Sequence, residues 1–177
     1  SLHASARPAL FTLLFSAVFL WVLEDFRWGR ANRLKWLPPL MVAWTNSHGL
    51  AVIGFGLVGL YALGMTKVEK RVARLAVAEL PKHLYILIPF LLLAACINPY
   101  GPALPFYPLQ AASVHWEAAQ HIQEWQSPDF HRSFVQPFIW LLLLTLAMVG
   151  ANRKRLALTD FLLVASFAYL GLYSARN

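Results

Sequence analysis

LPPLMVAWTNSHGLAVIGFGLVGLYALGM, residues 37–65, is a 29-residue stretch that is apolar at both ends and polar at its centre. A lipid-crossing helix takes roughly 20 apolar residues, so by length the stretch fits a single tilted crossing. Its centre argues otherwise. Asn46, Ser47 and His48 would place three hydrogen-bonding side chains in hydrocarbon, where every polar group needs a partner, and with Gly49 they suit a break between two helices. The flanks agree with a break. RWGRANRLK before the stretch carries Arg27, Arg30, Arg33 and Lys35, and TKVEKRVARLAVAELPKH after it carries Lys67, Lys70, Arg71, Arg74 and Lys82. Basic loops stay on the cytoplasmic side of a membrane, so both ends of residues 37–65 belong on one side. A broken helical hairpin meets that condition and a single crossing does not. Gly54, Gly56, Gly59 and Gly64 predict close approach of a second helix to its second arm.

Working outward, the composition sets the class. Soluble domains are about 45–50% apolar and about 25% charged; this chain is 59% hydrophobic and 13% charged, with a mean hydropathy of +0.54. The net charge of +7 does not indicate nucleic acid, because the basic residues flank apolar runs instead of forming a stripe on one face. Residues 8–26 predict a first span, with Pro8 admitted in its first turn. Residues 66–83 alternate apolar and basic residues, as an interfacial helix or a solvated connector does. Residues 84–97 predict a short span that Pro89 can kink, and residues 134–150 and 160–173 predict two more. The expected architecture is all-α, a polytopic transmembrane helical bundle of five to six passes forming a single domain over residues 1–177. Of the 15 Lys and Arg, that layout puts twelve on the cytoplasmic side and leaves Arg7, Arg132 and Arg176 outside. Trp21, Trp28, Trp36, Trp116, Trp125 and Trp140 fall near the span boundaries, where interfacial aromatics belong. Cys96, the single cysteine, lies in an apolar run, so the chain offers neither a disulfide nor a cysteine metal site.

The same layout gathers polar groups from distant parts of the sequence on the outer face: Asn46 to His48, Asn98 to Gly101, and a loop over residues 98–133. That loop holds His115, Glu117, His121, Glu124, Asp129 and His131. Their spacing matches no strong zinc signature, and no metal site is assigned. Glu124 and Asp129 in EWQSPD offer acid, base or cation-pairing chemistry, with helix capping by Ser127 or Asp129 as the structural alternative. NPYG, residues 98–101, reads as a helix-ending turn. His48 serves equally as a hydrogen-bonding partner at the break or as a substrate contact. Arg176 and Arg7 have the guanidinium geometry that holds phosphate, with interfacial anchoring to lipid headgroups as the structural alternative, favoured for Arg7.

Several phrases in order, RPALFTLLFSAVFLWVLE, LPPLMVAWTNSHG, INPYG, IQEWQSPDFH and LTDFLLVASFAYLGLYSARN, resemble a family of bacterial multi-pass membrane proteins that look like GT-C glycosyltransferases. The resemblance implies transfer of a sugar from a polyprenyl-phosphate carrier on the extracytoplasmic face of the cytoplasmic membrane. It implies a catalytic acid in a first outer loop, so this chain is expected to be an internal fragment without that acid. It further implies supporting roles for Glu124 and Asp129, and contacts to the carrier or sugar from Asn46, His48, Asn98, Tyr100, Trp125, Arg176 and Asn177. The architecture admits a divalent cation. The partners implied are membrane lipids and the polyprenyl-phosphate sugar donor, with no nucleic acid. A transporter or lipid-handling protein, or a non-catalytic membrane scaffold, are the alternative readings. A transporter keeps its ionisable residues near the midplane, whereas here they lie at span ends.

Overall fold

The computed structural model describes residues 9–65, 80–107, 127–152 and 156–173. All regular structure among them is helical. The chain divides into two compact units, Ser1–Ala111 and Ala112–Asn177.

The first unit opens with α1 (Ala9–Arg27). Its end is dictated by Gly29, which takes φ +65. The Gly29 amide donates to the Phe26 carbonyl at 3.1 Å and the Arg30 amide reaches back to the Asp25 carbonyl at 2.8 Å. That pair of bonds is a Schellman cap, which needs a left-handed residue after the helix and therefore favours glycine. A short turn, Leu34–Trp36, leads into α2 (Leu37–Ser47), with prolines in its first turn where their missing N–H costs nothing. His48 then leaves the helix with φ −157 and ψ 139. A turn at Gly49–Ala51 restarts the chain as α3 (Val52–Gly64). Residues 37–65 are thus two helices broken at His48. The fourth helix, α4 (Leu80–Ala95), carries Pro89 inside it.

Side-chain contacts fix how these helices run. Thr12, early in α1, hydrogen-bonds His48 at the α2–α3 break, while Tyr61, late in α3, donates to Glu24, late in α1. Arg33, just before α2, pairs with Asp25 at that same end. The break therefore lies at one pole of the unit and both outer ends of the hairpin lie at the other. Phe26 meets His83 edge to face at 6.1 Å, and Asn46 donates to the Ile97 carbonyl at 2.7 Å. Hence α4 starts at the Glu24 pole and finishes at the His48 pole, antiparallel to α1.

Between the poles, Phe19, Leu23, Met41, Trp44, Leu57 and Leu91 are fully or almost fully buried. The Trp44 indole stacks on Phe15 at 5.7 Å and takes Phe19 edge-on at 5.2 Å. Such aromatic pairs add about 0.5–1.5 kcal/mol each beyond the area they bury. A Cβ on Gly54 would fall 2.8 Å from Met41 Cε, 3.1 Å from Trp44 and 3.2 Å from Phe19, so the hairpin arms and α1 meet at this glycine. Gly56 and Gly59 face open space. The expectation of a glycine-lined contact is corrected at those two positions: among the described residues, no atom approaches a Cβ on Gly56 or Gly59, and the contact falls at Gly54.

The second unit contains α5 (Gln136–Ala151) and α6 (Leu158–Tyr173). They are antiparallel, because a Cβ on Gly171 near the end of α6 would lie 2.9 Å from the Phe138 ring at the start of α5. The α5 residues Trp140, Leu141, Leu143, Leu144 and Met148 are exposed, as are Phe161, Phe167 and Tyr169 of α6. A helix that is apolar all round belongs inside a protein or in lipid.

No helix among the described residues is long and apolar enough to cross a membrane. Helix α1 has 19 residues but ends with Glu24, Asp25 and Arg27, and α2 has 11. The all-α class is what the fold establishes. Residues 66–79 of the expected interfacial segment lie outside the described residues.

Candidate functional site

The polar centre of the hairpin and the NPYG turn form one pole of the first unit. Thr12 is buried there, with its Oγ1 2.6 Å from His48 Nδ1. The buried indole of Trp44 donates to the same hydroxyl oxygen at 3.3 Å. A hydroxyl on α1 therefore joins two residues of the hairpin tip, 32 and 36 positions away in the chain. Asn46 spends its amide nitrogen twice, on the Val42 carbonyl at 2.8 Å and on the Ile97 carbonyl at 2.7 Å. The second bond ties the tip to the end of α4. Ser47 turns back to the Ala43 carbonyl at 2.7 Å, a local bond that competes with helix continuation.

Asn98 builds the turn that follows α4. Its Nδ2 donates to the Ala95 and Gly101 carbonyls at 2.7 and 2.9 Å, and its Oδ1 accepts from the Tyr100 amide at 2.8 Å. Gly101 completes the turn at φ +57. Every donor of the Asn98 side chain is thus used internally, which makes it an architectural residue. Tyr100 is 73% exposed at the same turn. Of the expected contacts, Asn46, His48, Asn98 and Tyr100 therefore belong to one pole. Thr12 and Trp44 join them, and neither was expected. Both look like ordinary span residues in sequence, and only the helix packing reveals their role. The described segments at this pole, residues 9–16, 44–54 and 92–107, contain no Asp, Glu, Lys or Arg.

The opposite pole is charged. Glu24 accepts from the Tyr61 hydroxyl at 2.6 Å, the Trp28 indole at 2.6 Å and Arg27 at 3.0 Å. Asp25 pairs with Arg30 at 2.9 Å and with Arg33. Arg27, Arg33 and Lys35 lie over the rings of Trp28, Trp21 and Trp36 at 5.1, 4.8 and 5.9 Å. Each such cation–ring contact contributes roughly 0.5–1 kcal/mol at an exposed site. Glu24 has three donors and Asp25 has two arginines, so these carboxylates close the helix end and anchor its loop.

In the second unit, Asp129 accepts from the His131 backbone amide at 3.1 Å and from Arg132 Nε at 3.3 Å. The amide bond to the charged form holds its carboxyl below the usual range, desolvation works against it, and Arg132 and the His131 ring lower it further. Asp129 is exposed and accepts within a turn, and the helical turn that follows is capped at Arg132 and not by the Asp129 side chain. Glu124, Trp125, Arg176 and Asn177 lie outside the described residues, as do Arg7, His115, Glu117 and His121. Among the described residues no group of three His, Cys, Asp or Glu is placed to hold a metal ion. No family model, no curated protein and no solved structure matches this chain.

Proposed function

We propose that this chain is embedded in the bacterial cytoplasmic membrane and that its His48 pole, facing outward, recognises a polyprenyl-phosphate sugar for a GT-C-like glycosyl transfer. The observation that carries the membrane reading is the segregation of side chains in the first unit. Arg27, Arg30, Arg33, Lys35 and Lys82 gather at one pole, the other pole is polar and uncharged over its described segments, and the flanks expose Leu10, Leu13, Leu14, Ile86, Phe90 and Leu93. A charged end, apolar sides and a neutral polar end match the gradient across a bilayer, with the basic end cytoplasmic. Short helices are accommodated where they pack inside protein or where the bilayer thins. The carrier and the sugar transfer come from the sequence resemblance. The pole adds hydrogen-bonding groups without fixed charge, which suit the hydroxyls of a sugar and the oxygens of a phosphate.

Orientation is tested by placing single cysteines at Ser47 and Asn152 in a C96S background and labelling intact cells with a membrane-impermeant thiol reagent. Labelling at Ser47 with protection at Asn152 is the expected result, and the reverse pattern overturns the proposal. Carrier recognition is tested by titrating a polyprenyl-phosphate sugar into the full chain in nanodiscs. His48→Ala should weaken binding about tenfold, near 1.4 kcal/mol, and an unchanged affinity refutes the assigned role.

A further inference from the structure

At the charged pole, one carboxylate holds two guanidiniums side by side. Asp25 accepts from Arg30 Nε at 2.9 Å on one oxygen and from Arg33 Nη1 on the other. Each arginine spends one nitrogen on it, and among the described residues the remaining nitrogens of both make no further hydrogen bond. The two side chains are 59% and 43% exposed, so the pair lies at the surface of the pole. Two guanidiniums against one carboxylate leave a charge of +1. A phosphodiester carries one negative charge and neutralises it, whereas a phosphate monoester carries about −1.5 to −2 at pH 7. Guanidinium is the side chain that holds such oxygens in a fork. A second observation indicates what else the ligand carries. Arg33 lies over the ring of Trp21 at 4.8 Å. Trp21 is exposed and ends a row of exposed residues on α1 made by Leu10, Leu14 and Ala17. Positions 10, 14, 17 and 21 share one helix face, so an apolar track runs along α1 to the arginine pair. That track suits an acyl chain, and an indole at its polar end sits as tryptophans do at the headgroup level of a bilayer.

We infer that Arg30 and Arg33, held together by Asp25, form a headgroup site for an anionic phospholipid of the phosphatidylglycerol class, with its phosphodiester at the two guanidiniums and an acyl chain along the Leu10–Trp21 face of α1. Asp25 is the positioning residue of this site. The site rests on the membrane reading above, in which the basic pole meets the anionic lipids of the cytoplasmic leaflet. It is independent of the sugar carrier assigned to the His48 pole.

The test reads lipid retention on the full chain. Nanodiscs are built from phosphatidylglycerol and phosphatidylcholine in equal amounts, and native mass spectrometry measures the ratio of the two lipids that stay bound. The wild-type chain should prefer phosphatidylglycerol about thirtyfold, from two arginines at a bilayer surface, and added inorganic phosphate should not displace it. Arg30→Gln should lower the preference about fivefold. Lys35, which lies over Trp36, carries the same charge at the same pole outside the pair, and Lys35→Gln should lower the preference less. Equal losses in these two variants overturn the site in favour of diffuse attraction, and displacement by inorganic phosphate overturns the lipid assignment. Should Arg30→Gln fail to fold, Arg30→Lys keeps the charge and loses the fork; it should also lower the preference, and an unchanged ratio overturns the inference. A chain that enters nanodiscs and retains both lipids equally overturns this site and leaves the membrane reading standing. A chain that stays monodisperse without amphiphile and does not enter nanodiscs removes the membrane reading and the site with it.

Discussion

At Gly54 a single missing side chain lets three others occupy the same place. Adding a methyl group there forces Met41, Trp44 and Phe19 apart, and over-packing of this sort costs about 1–3 kcal/mol. Met41 Cε is the end of a flexible chain and can yield, whereas the two rings at 3.1 and 3.2 Å cannot move without disturbing the aromatic stack. Gly54→Ala should therefore lower the melting temperature in detergent. Gly56→Ala should raise it, since the position is open and alanine favours a helix interior by about 0.5–1 kcal/mol. Equal shifts in the two variants would contradict the packing described. A second contrast concerns Thr159, which is fully buried and whose hydroxyl has no hydrogen-bond partner among the described residues. Thr159→Val keeps the shape and removes the unsatisfied group, so thermal unfolding should show it unchanged or stabilised by up to about 1 kcal/mol. The glycine spacing was visible in the sequence, but which glycine meets a neighbour depends on the rotation of α3. The partnership of Thr12 with His48 was not legible, because nothing local links residues on separate helices.

Among the elements, the loop after α1 shows how a helix end can be closed by its own last residues. The Gly29 cap turns the chain, and Asp25 then holds Arg30 and Arg33 over the helix end. The two arginines are partly exposed, so their pairing is screened and Asp25→Asn should cost only about 1 kcal/mol. Its signature should be faster proteolysis within residues 27–36, and an unchanged cleavage rate would count against the clamp. In the Asp129 turn the native carboxyl titrates below its unfolded value. Its contribution is therefore present above the unfolded value near pH 3.9 and is lost as the pH falls through the lower native one. The His131 amide resonance should titrate with a midpoint below about 3.9; a midpoint at or above that value would contradict the turn geometry. The break at residues 46–49 was legible because polar residues interrupt an apolar run between two basic flanks. The Schellman cap was not anticipated, although Trp28-Gly29 supplies its chemistry.

On the scale of the whole molecule, the apolar flanks of each unit set its solubility. The chain should be monodisperse in detergent micelles and should aggregate when the detergent is diluted below its micelle concentration. Monodisperse behaviour without amphiphile, seen by light scattering, would remove the membrane reading. The candidate site was partly legible. Asn46, His48, Asn98 and Tyr100 were marked by polar residues between apolar runs, yet the structure spends Asn98 on its turn and sets Asp129 in a turn of the second unit. The hairpin has one more consequence, which concerns parity. Helix α1 ends at the charged pole, the two arms leave it and return, and α4 departs from it, so residues 37–65 add an even number of traverses. Excising both arms would leave the heading of α4 unchanged, while losing one arm would reverse it. The hairpin is in this sense a removable module, and its two arms can be gained or lost only together.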